Sequence, residues 1–244
     1  MSSWPLRGWF ARCVALGLTL SMLTVAGETS ATAAPVTPSS VLQSSRSAIA
    51  GESGAHVVFV AHSETTSTTE KIVADVSGSG GGETVSEGSA VVDIRVTPSF
   101  AYVSGNSSGL TKLFGLSTAG AKKIGKEWVS LKASSSQYRT LKSDVTLKTV
   151  TALLPKAKGT TMKTAKVRGV EVYVLKWTVP AAGSVPTLSN TLTLSASGSP
   201  LPLTETSTAS GGTSISTDLS KWGEKVLVQS PPAGDVVASS KIST

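Results

Sequence analysis

Cysteine is almost absent from this chain of 244 residues: the single one, Cys13, stands close to the N-terminus, just ahead of an apolar run. No disulfide can staple the rest of the chain, and no thiolate chemistry or cysteine metal site is available to it. Histidine is nearly as scarce, with only His56 and His62. On a strand they lie six positions apart on one face, roughly 20 Å at strand rise. That excludes joint ligation of one ion, because zinc–nitrogen bonds are about 2 Å long. Glu64 does not complete a site. Aromatic residues make up 5% and are not interleaved with the basic residues, which argues against a platform for single-stranded nucleic acid. Acids are few and scattered, so no carboxylate pair of glycosidase type stands out. Beyond the N-terminal run, no stretch is apolar enough to span a bilayer.

Residues 1–12 carry Arg7 and Arg12 and no acid; residues 13–26 are apolar; Ala31-Thr32-Ala33-Ala34-Pro35 follows. This is the three-part pattern of a cleaved secretory signal over residues 1–33, with cleavage after Ala33. The apolar part is short for a membrane anchor. The expected mature chain is a single domain over residues 34–237 with a flexible tail at 238–244. At about 210 residues it is long enough for a real core. The whole chain carries +7; without Arg7, Arg12 and Glu28 the excess is one charge smaller. Lysines gather at Lys122, Lys123 and Lys126, and again from Lys156 to Arg168. Such a face suits anionic lipid headgroups or envelope polymers, or simply solvation.

Local patterns predict helix, strands, helices and strands again. Thr37-Pro38 reads as a cap and first helical residue, opening a helix over about 38–50 that Gly51 ends. The period of two is clearest at Ala90, Val92, Ile94 and Val96. Before it, Val58 and Val60 share a face with His56 and His62, opposite Val57, Phe59 and Ala61. Residues 77–88, rich in glycine, serine and acids, read as a flexible connector. Leu110, Leu113 and Phe114 have helical spacing, and residues 117–125 read as helical or irregular. Asp144 is a candidate cap for a helix with the stripe Leu147, Val150 and Leu154, stopped by Pro155. Strands are expected at Val170–Val179, Thr191–Ala196, Leu201–Ser207, Thr213–Asp218 and Lys225–Gln229, with a loose end beyond Pro232. The order predicts an α+β fold with a mostly antiparallel sheet and helices to one side.

Two motifs invite catalytic readings. Gly105-Asn106-Ser107-Ser108-Gly109 fits G-x-S-x-G between a strand and a helix, the setting of a hydrolase nucleophile. Both histidines precede Ser107, opposite to the α/β-hydrolase order, and the chain is rich in glycine and serine, so a turn is the expected role. The run Gly78–Gly82 has no lysine-serine pair and opens no helix, which makes it a linker and not a phosphate cradle.

Several segments together resemble a known family. Gly125-Lys126-Glu127-Trp128-Val129 is similar to the "G-K-W-V" strand of actinobacterial LppX/LprG-type envelope lipoproteins. Val167-Arg168-Gly169-Val170-Glu171-Val172 is similar to their "v-x-G-x-x-v" strand entry. Ser199-Pro200-Leu201-Pro202 matches a turn before a strand. Trp222-Gly223, Val226, Val228 and Pro231 resemble their closing "W-G-x-x-V-x-V-x-x-P" signature. The resemblance covers roughly residues 38–237 and extends to the fold of LolA-type lipoprotein carriers. It implies a strongly curved antiparallel sheet, a half-open barrel with helices on its concave side. It further implies an apolar cavity that holds acyl chains of a lipid or lipoglycan for transport in the cell envelope, without catalysis or cofactor. The family's acylated cysteine is missing: Cys13 precedes the apolar run and would leave with the signal. The expectation is therefore a secreted, unanchored, monomeric carrier in transient contact with membrane or envelope. An extracellular interaction or scaffolding module of the same fold, with no functional cavity, is the alternative.

On this reading the sheet contributes Val58, Val60, Val92, Ile94, Tyr102, Val172, Val174, Leu192 and Leu194 to the cavity lining. The helices contribute Leu110, Leu113, Phe114, Leu147, Val150 and Leu154. Lys122, Lys123 and Lys126 are the expected headgroup contacts. Trp128 and Trp222 are expected to anchor sheet ends to the core.

Overall fold

The computed structural model describes residues 36–181, 186–210 and 212–241. The expected signal segment, residues 1–33, lies outside them. Helix α1, Pro38–Gly51, starts as the sequence predicts. Thr37 accepts from the Ser40 backbone, Ser40 returns a bond to the Thr37 backbone, and Pro38 occupies the first turn. The helix turns Val41, Leu42, Ser45 and Ile49 inward.

Five antiparallel strands follow: β1 (Gly54–Ser63), β2 (Thr68–Ser77), β3 (Gly81–Glu87), β4 (Ala90–Val96) and β5 (Phe100–Gly105). Strand β3 corrects the reading of residues 77–88 as a connector. Its alternation of buried and exposed residues uses Gly81, Glu83 and Val85 on the inner face, a pattern that glycine and acid disguise. A π-helical turn, Gly109–Leu113, leads to α2 (Thr118–Ile124), β6 (Trp128–Lys132), α3 (Ser136–Asp144) and α4 (Leu147–Ala152). Asp144 ends α3 and does not cap the next helix; Thr146 holds the cap position of α4.

The second half is a meander: β7 (Thr161–Val167), β8 (Val170–Val179), β9 (Leu188–Ser195), β10 (Pro202–Ala209) and β11 (Thr213–Ser220). The sequence reading missed β7, whose lysine-rich and mostly exposed residues mark an edge strand. Arg168 and Gly169 both take positive φ, 50° and 84°, as a two-residue hairpin turn requires.

The twelve strands form one open sheet in the order β12-β6-β5-β4-β3-β2-β1-β11-β10-β9-β8-β7, where β12 is Val236–Ala238. All pairs are antiparallel except β12 with β6. The chain beyond Pro232 is thus not wholly loose: its β12 segment is tied to Trp128, Val129 and Ser130. Lys225–Gln229 is no strand. It alternates like one, with Val226 and Val228 half-buried, but β11 is already paired on both sides by β1 and β10. The chain leaving β11 must therefore cross a face of the sheet. Gly54 permits the crossing, because a Cβ there would stand 2.6 Å from both the Glu224 carbonyl oxygen and Val226.

The fold is α+β: a curved, unclosed antiparallel sheet with helices against its inner face. Its core has two parts. One joins β3–β6 to the π-turn, α2 and α3 through residues such as Val92, Val103, Leu110 and Leu141. The other joins β1, β2, β8, β9 and β11 to α1 and α4 through Leu42, Ile49, Val150, Leu192 and Leu219. Ile72 packs against both. Arg46 on α1 donates to the Pro155 carbonyl at 3.0 Å and so ties α1 to the segment after α4.

Candidate functional site: the inner face of the half-barrel

Opposite residues in an antiparallel pair share a face, so the register reads out the inner wall as continuous rows. One runs Val129, Val103, Ile94, Glu83, Ala74, Val57 and Leu219 across seven strands. The next runs Val92, Val85, Ile72, Phe59, Thr217, Glu205, Leu192, Leu175 and Met162. A third carries Ala61, Ile215, Ser207, Asn190 and Trp177. The wall is aliphatic over most of its width, and the polar positions are few and specific.

These rows sort the sequence-predicted lining. Val92, Ile94, Leu192 and Leu194 stand on the inner wall and are buried. Leu110, Leu113 and Phe114 cover it in one core, and Leu147, Val150 and Leu154 in the other. Four positions are corrected by parity. Val58 and Val60 share the outer face with His56 and His62, while Ala55, Val57, Phe59 and Ala61 point inward. Val172 and Val174 pair with Ser195 and Thr193, out of step with the inward Tyr173, Leu175 and Trp177. Valine on both faces of β1, and apolar residues on both faces of β8, left nothing in the local pattern to choose between them. Tyr102 is a fifth correction. It is buried but lies opposite Arg95 on the outer face, with the Phe100 ring 6.0 Å away. The sequence reading missed Phe59, Ile72, Tyr173, Leu175 and Trp177, although alternation along β1 sets Val57, Phe59 and Ala61 on one face.

Where the two cores meet, Val57, Phe59, Ile72, Ala74, Val76, Val150 and Leu153 enclose a void of about 20 Å³, room for roughly one water. Two carboxyl groups, Glu83 and Asp144, line the same void. Burial raises Asp144 to about 6, against a smaller lowering by the Ser143 hydroxyl. Farther along the wall, burial raises Glu205 to about 7.

Lys122 and Lys123 close the last turn of α2, where cations suit the helix dipole, and Lys126 follows in the exposed turn. Trp222 donates its indole N–H to the Pro202 carbonyl at 2.9 Å beside the second core. Trp128 lies under the Arg95 guanidinium, 4.5 Å from ring centre to Cζ.

The other candidate chemistries resolve into structure. Asn106 accepts from the Gly109 and Val91 backbone and donates to the Ser89 carbonyl, so Gly105–Gly109 is a pinned turn. A Cβ at Gly109 would collide with the Val91 backbone. His62 bonds Thr69 at 2.9 Å, and His56 bonds Asp75 at 2.7 Å. Both are on β1, four strands from the β5 end that leads to Ser107, on the order of 15–20 Å along the sheet. The crossing segment 224–229 roofs a second concavity on the outer face, an open groove of about 670 Å³ floored by Asp75, Gly82, Thr84, Asp93 and Arg95. Its floor groups are already partnered, Thr84 with Asp93 at 2.7 Å and Arg95 with the Gln229 carbonyl at 3.4 Å. Among the described residues no helix is long and apolar enough to cross a membrane.

No protein-family model and no curated protein matches the chain. Among solved structures it is similar to the lipoprotein LppX of Mycobacterium tuberculosis, with 18% identity, TM-score 0.49, and coverage of 79% of this chain and 98% of that one. It is similar to LprF of Mycobacterium bovis, with 17% identity, TM-score 0.49, and coverage of 80% and 96%. A DUF1329 family protein from Desulfovibrio piger aligns at 8% identity and TM-score 0.30 over 80% and 96%.

Proposed function

We propose that this chain is a secreted, non-catalytic lipid carrier that holds acyl chains of a lipid or lipoglycan between the inner face of its sheet and its helices. The observation that carries the reading is the two-part core. An aliphatic wall spans the sheet, yet its cover is split into two helical groups that adjoin at the seam around Ile72 and the 20 Å³ void. Ligand pockets usually have volumes of about 300–1,000 Å³, so the carrier reading requires the seam to open on loading. Loading separates α4 from β1 and β2 along that seam. Each buried methylene of a bound chain contributes roughly 0.8 kcal/mol, which offsets the separation. Aliphatic walls with few polar groups accept chains of varied length. Lys122, Lys123 and Lys126 meet anionic headgroups.

The test is native mass spectrometry of protein secreted by its own host, before and after solvent extraction, with lipid analysis of the extract. A stoichiometric adduct that extraction removes supports the carrier. Leu153→Trp, which fills the seam, should reduce lipid uptake at least tenfold in a folded protein. A bare mass that persists after incubation with host envelope lipids refutes the reading. The small volume at the seam favours one alternative, an extracellular interaction module with a permanently packed core. That module would capture a protein partner from culture medium and carry no lipid.

A further inference from the structure

Polar groups on the inner wall are not all alike. In the third row, Ser207 donates to Asn190 Oδ1 at 2.5 Å, and Asn190 Nδ2 donates to the Leu188 carbonyl at 3.2 Å. That pair satisfies itself. One row away, Thr217 is 1% exposed and its Oγ1 has no hydrogen-bond partner among the described residues. Directly opposite it stands Glu205, flanked on the other side by Leu192. Glu205 is half-buried and makes no hydrogen bond or ion pair among the described residues. Across β1 the row continues with Phe59. A third orphan is Ser45 Oγ, on the inward stripe of α1, fully buried and unpartnered. That helix packs in the same core as Leu175, Leu192, Leu194 and Leu219.

Buried polar groups without partners are rare in folded proteins and call for a cause. Packing does not supply one: valine has nearly the shape of threonine, and leucine would continue the row at 205. We infer that Glu205 and Thr217 form a hydroxyl-recognition site within the acyl-chain wall, so that the protein selects a chain bearing a hydroxyl group. The inference rests on the lipid-carrier reading and deepens it.

A hydroxyl both donates and accepts. It can donate to the Glu205 carboxylate and accept from Thr217 Oγ1, which gives the buried Thr217 hydroxyl its missing partner and replaces solvent at Glu205. An anionic headgroup is repelled by Glu205. An ammonium would donate one N–H to Glu205 and leave others facing Phe59 and Leu192, an unfavourable burial of unpaired donors.

The experiment uses delipidated secreted protein and three kinds of probe: stearic acid, hydroxystearic acids with the hydroxyl at successive positions along the chain, and octadecylamine. Dissociation constants are read by displacement of a fluorescent fatty acid at pH 8.5, above the value of about 7 to which burial raises Glu205. At least one hydroxystearic acid should bind about tenfold tighter than stearic acid, the worth of one good hydrogen bond to a charged group. Glu205→Leu with Thr217→Val should abolish the preference, read as the ratio of hydroxystearic to stearic acid affinity within the same protein. Thr217→Val alone, nearly isosteric, should reduce the preference and secures the test if the double variant does not fold. Equal affinity across the whole panel in the natural protein overturns the inference and leaves the carrier reading standing. Failure of every probe, stearic acid included, overturns both. An unchanged preference in folded Thr217→Val and in the double variant overturns the assignment to these residues. Tighter binding of octadecylamine than of every hydroxystearic acid overturns the choice of a hydroxyl.

Discussion

Replacing Glu205 by Gln should raise stability at neutral and alkaline pH and leave it unchanged in acid. The carboxyl is pushed from 4.5 to about 7 by burial on the inner wall between Thr217 and Leu192. A raised carboxyl binds its proton more tightly in the folded chain than in the unfolded one. Its contribution is therefore fully present below pH 4.5 and is lost as pH rises through about 7. At 1.36 kcal/mol per unit, the loss is at most about 3 kcal/mol. Gln is nearly isosteric and does not ionise, so it escapes the loss. The assay is urea unfolding of both proteins, followed by far-ultraviolet circular dichroism from pH 4 to pH 9. The difference curve should be flat near pH 4, rise between pH 5 and pH 7, and level off above. Asp144 carries the same sign over a lower window, from 3.8 to about 6, in both proteins, and cancels in the difference. A pH-independent difference, or a variant less stable at pH 8 than the natural chain, would refute the burial of an uncompensated carboxyl at this position.

Two further perturbations probe the frame around the site. Gly109→Ala forces a Cβ into the Val91 backbone at the entrance to the π-turn; it should lower Tm markedly, by roughly 2–4 kcal/mol of stability, seen by calorimetry. A variant as stable as the natural chain would mean that the close approach is not present. Tyr138→Phe removes a buried hydroxyl that bonds the Thr97 and Pro98 carbonyls, each at 2.9 Å. It should cost about 1–2 kcal/mol in denaturant unfolding with an unchanged slope. A neutral result would show that α3 is not held to the β4–β5 turn by this side chain.

Much of the architecture was written in local pattern. Thr37 and Pro38 open α1 because a cap and a fixed φ act within one turn. Val170–Val179 is β8 residue for residue, and the alternation from Ala90 to Val96 is β4, since side chains on a strand repeat every second residue. The helical residues of the expected lining, from Leu110 to Leu154, all reached the two cores. A stripe on a helix has only one apolar side to bury.

Which face of a strand turns inward was decided elsewhere. Val57 and Val58 are chemically the same, and only the pairing of β1 with β2 and β11 under α1 selects the first. Val172 and Val174 lost to Tyr173, Leu175 and Trp177 for the same reason. Lys225–Gln229 has a strand's alternation without a partner, because β1 and β10 had already taken both edges of β11. Glu205 and Thr217 lie twelve residues apart in sequence and look like ordinary polar strand positions. They become neighbours in an apolar wall only through the β10–β11 register. Periodicity acts over a few residues and is carried by the chain itself. Facing, pairing and the isolation of a buried polar group depend on distant segments, so tertiary structure alone decided them.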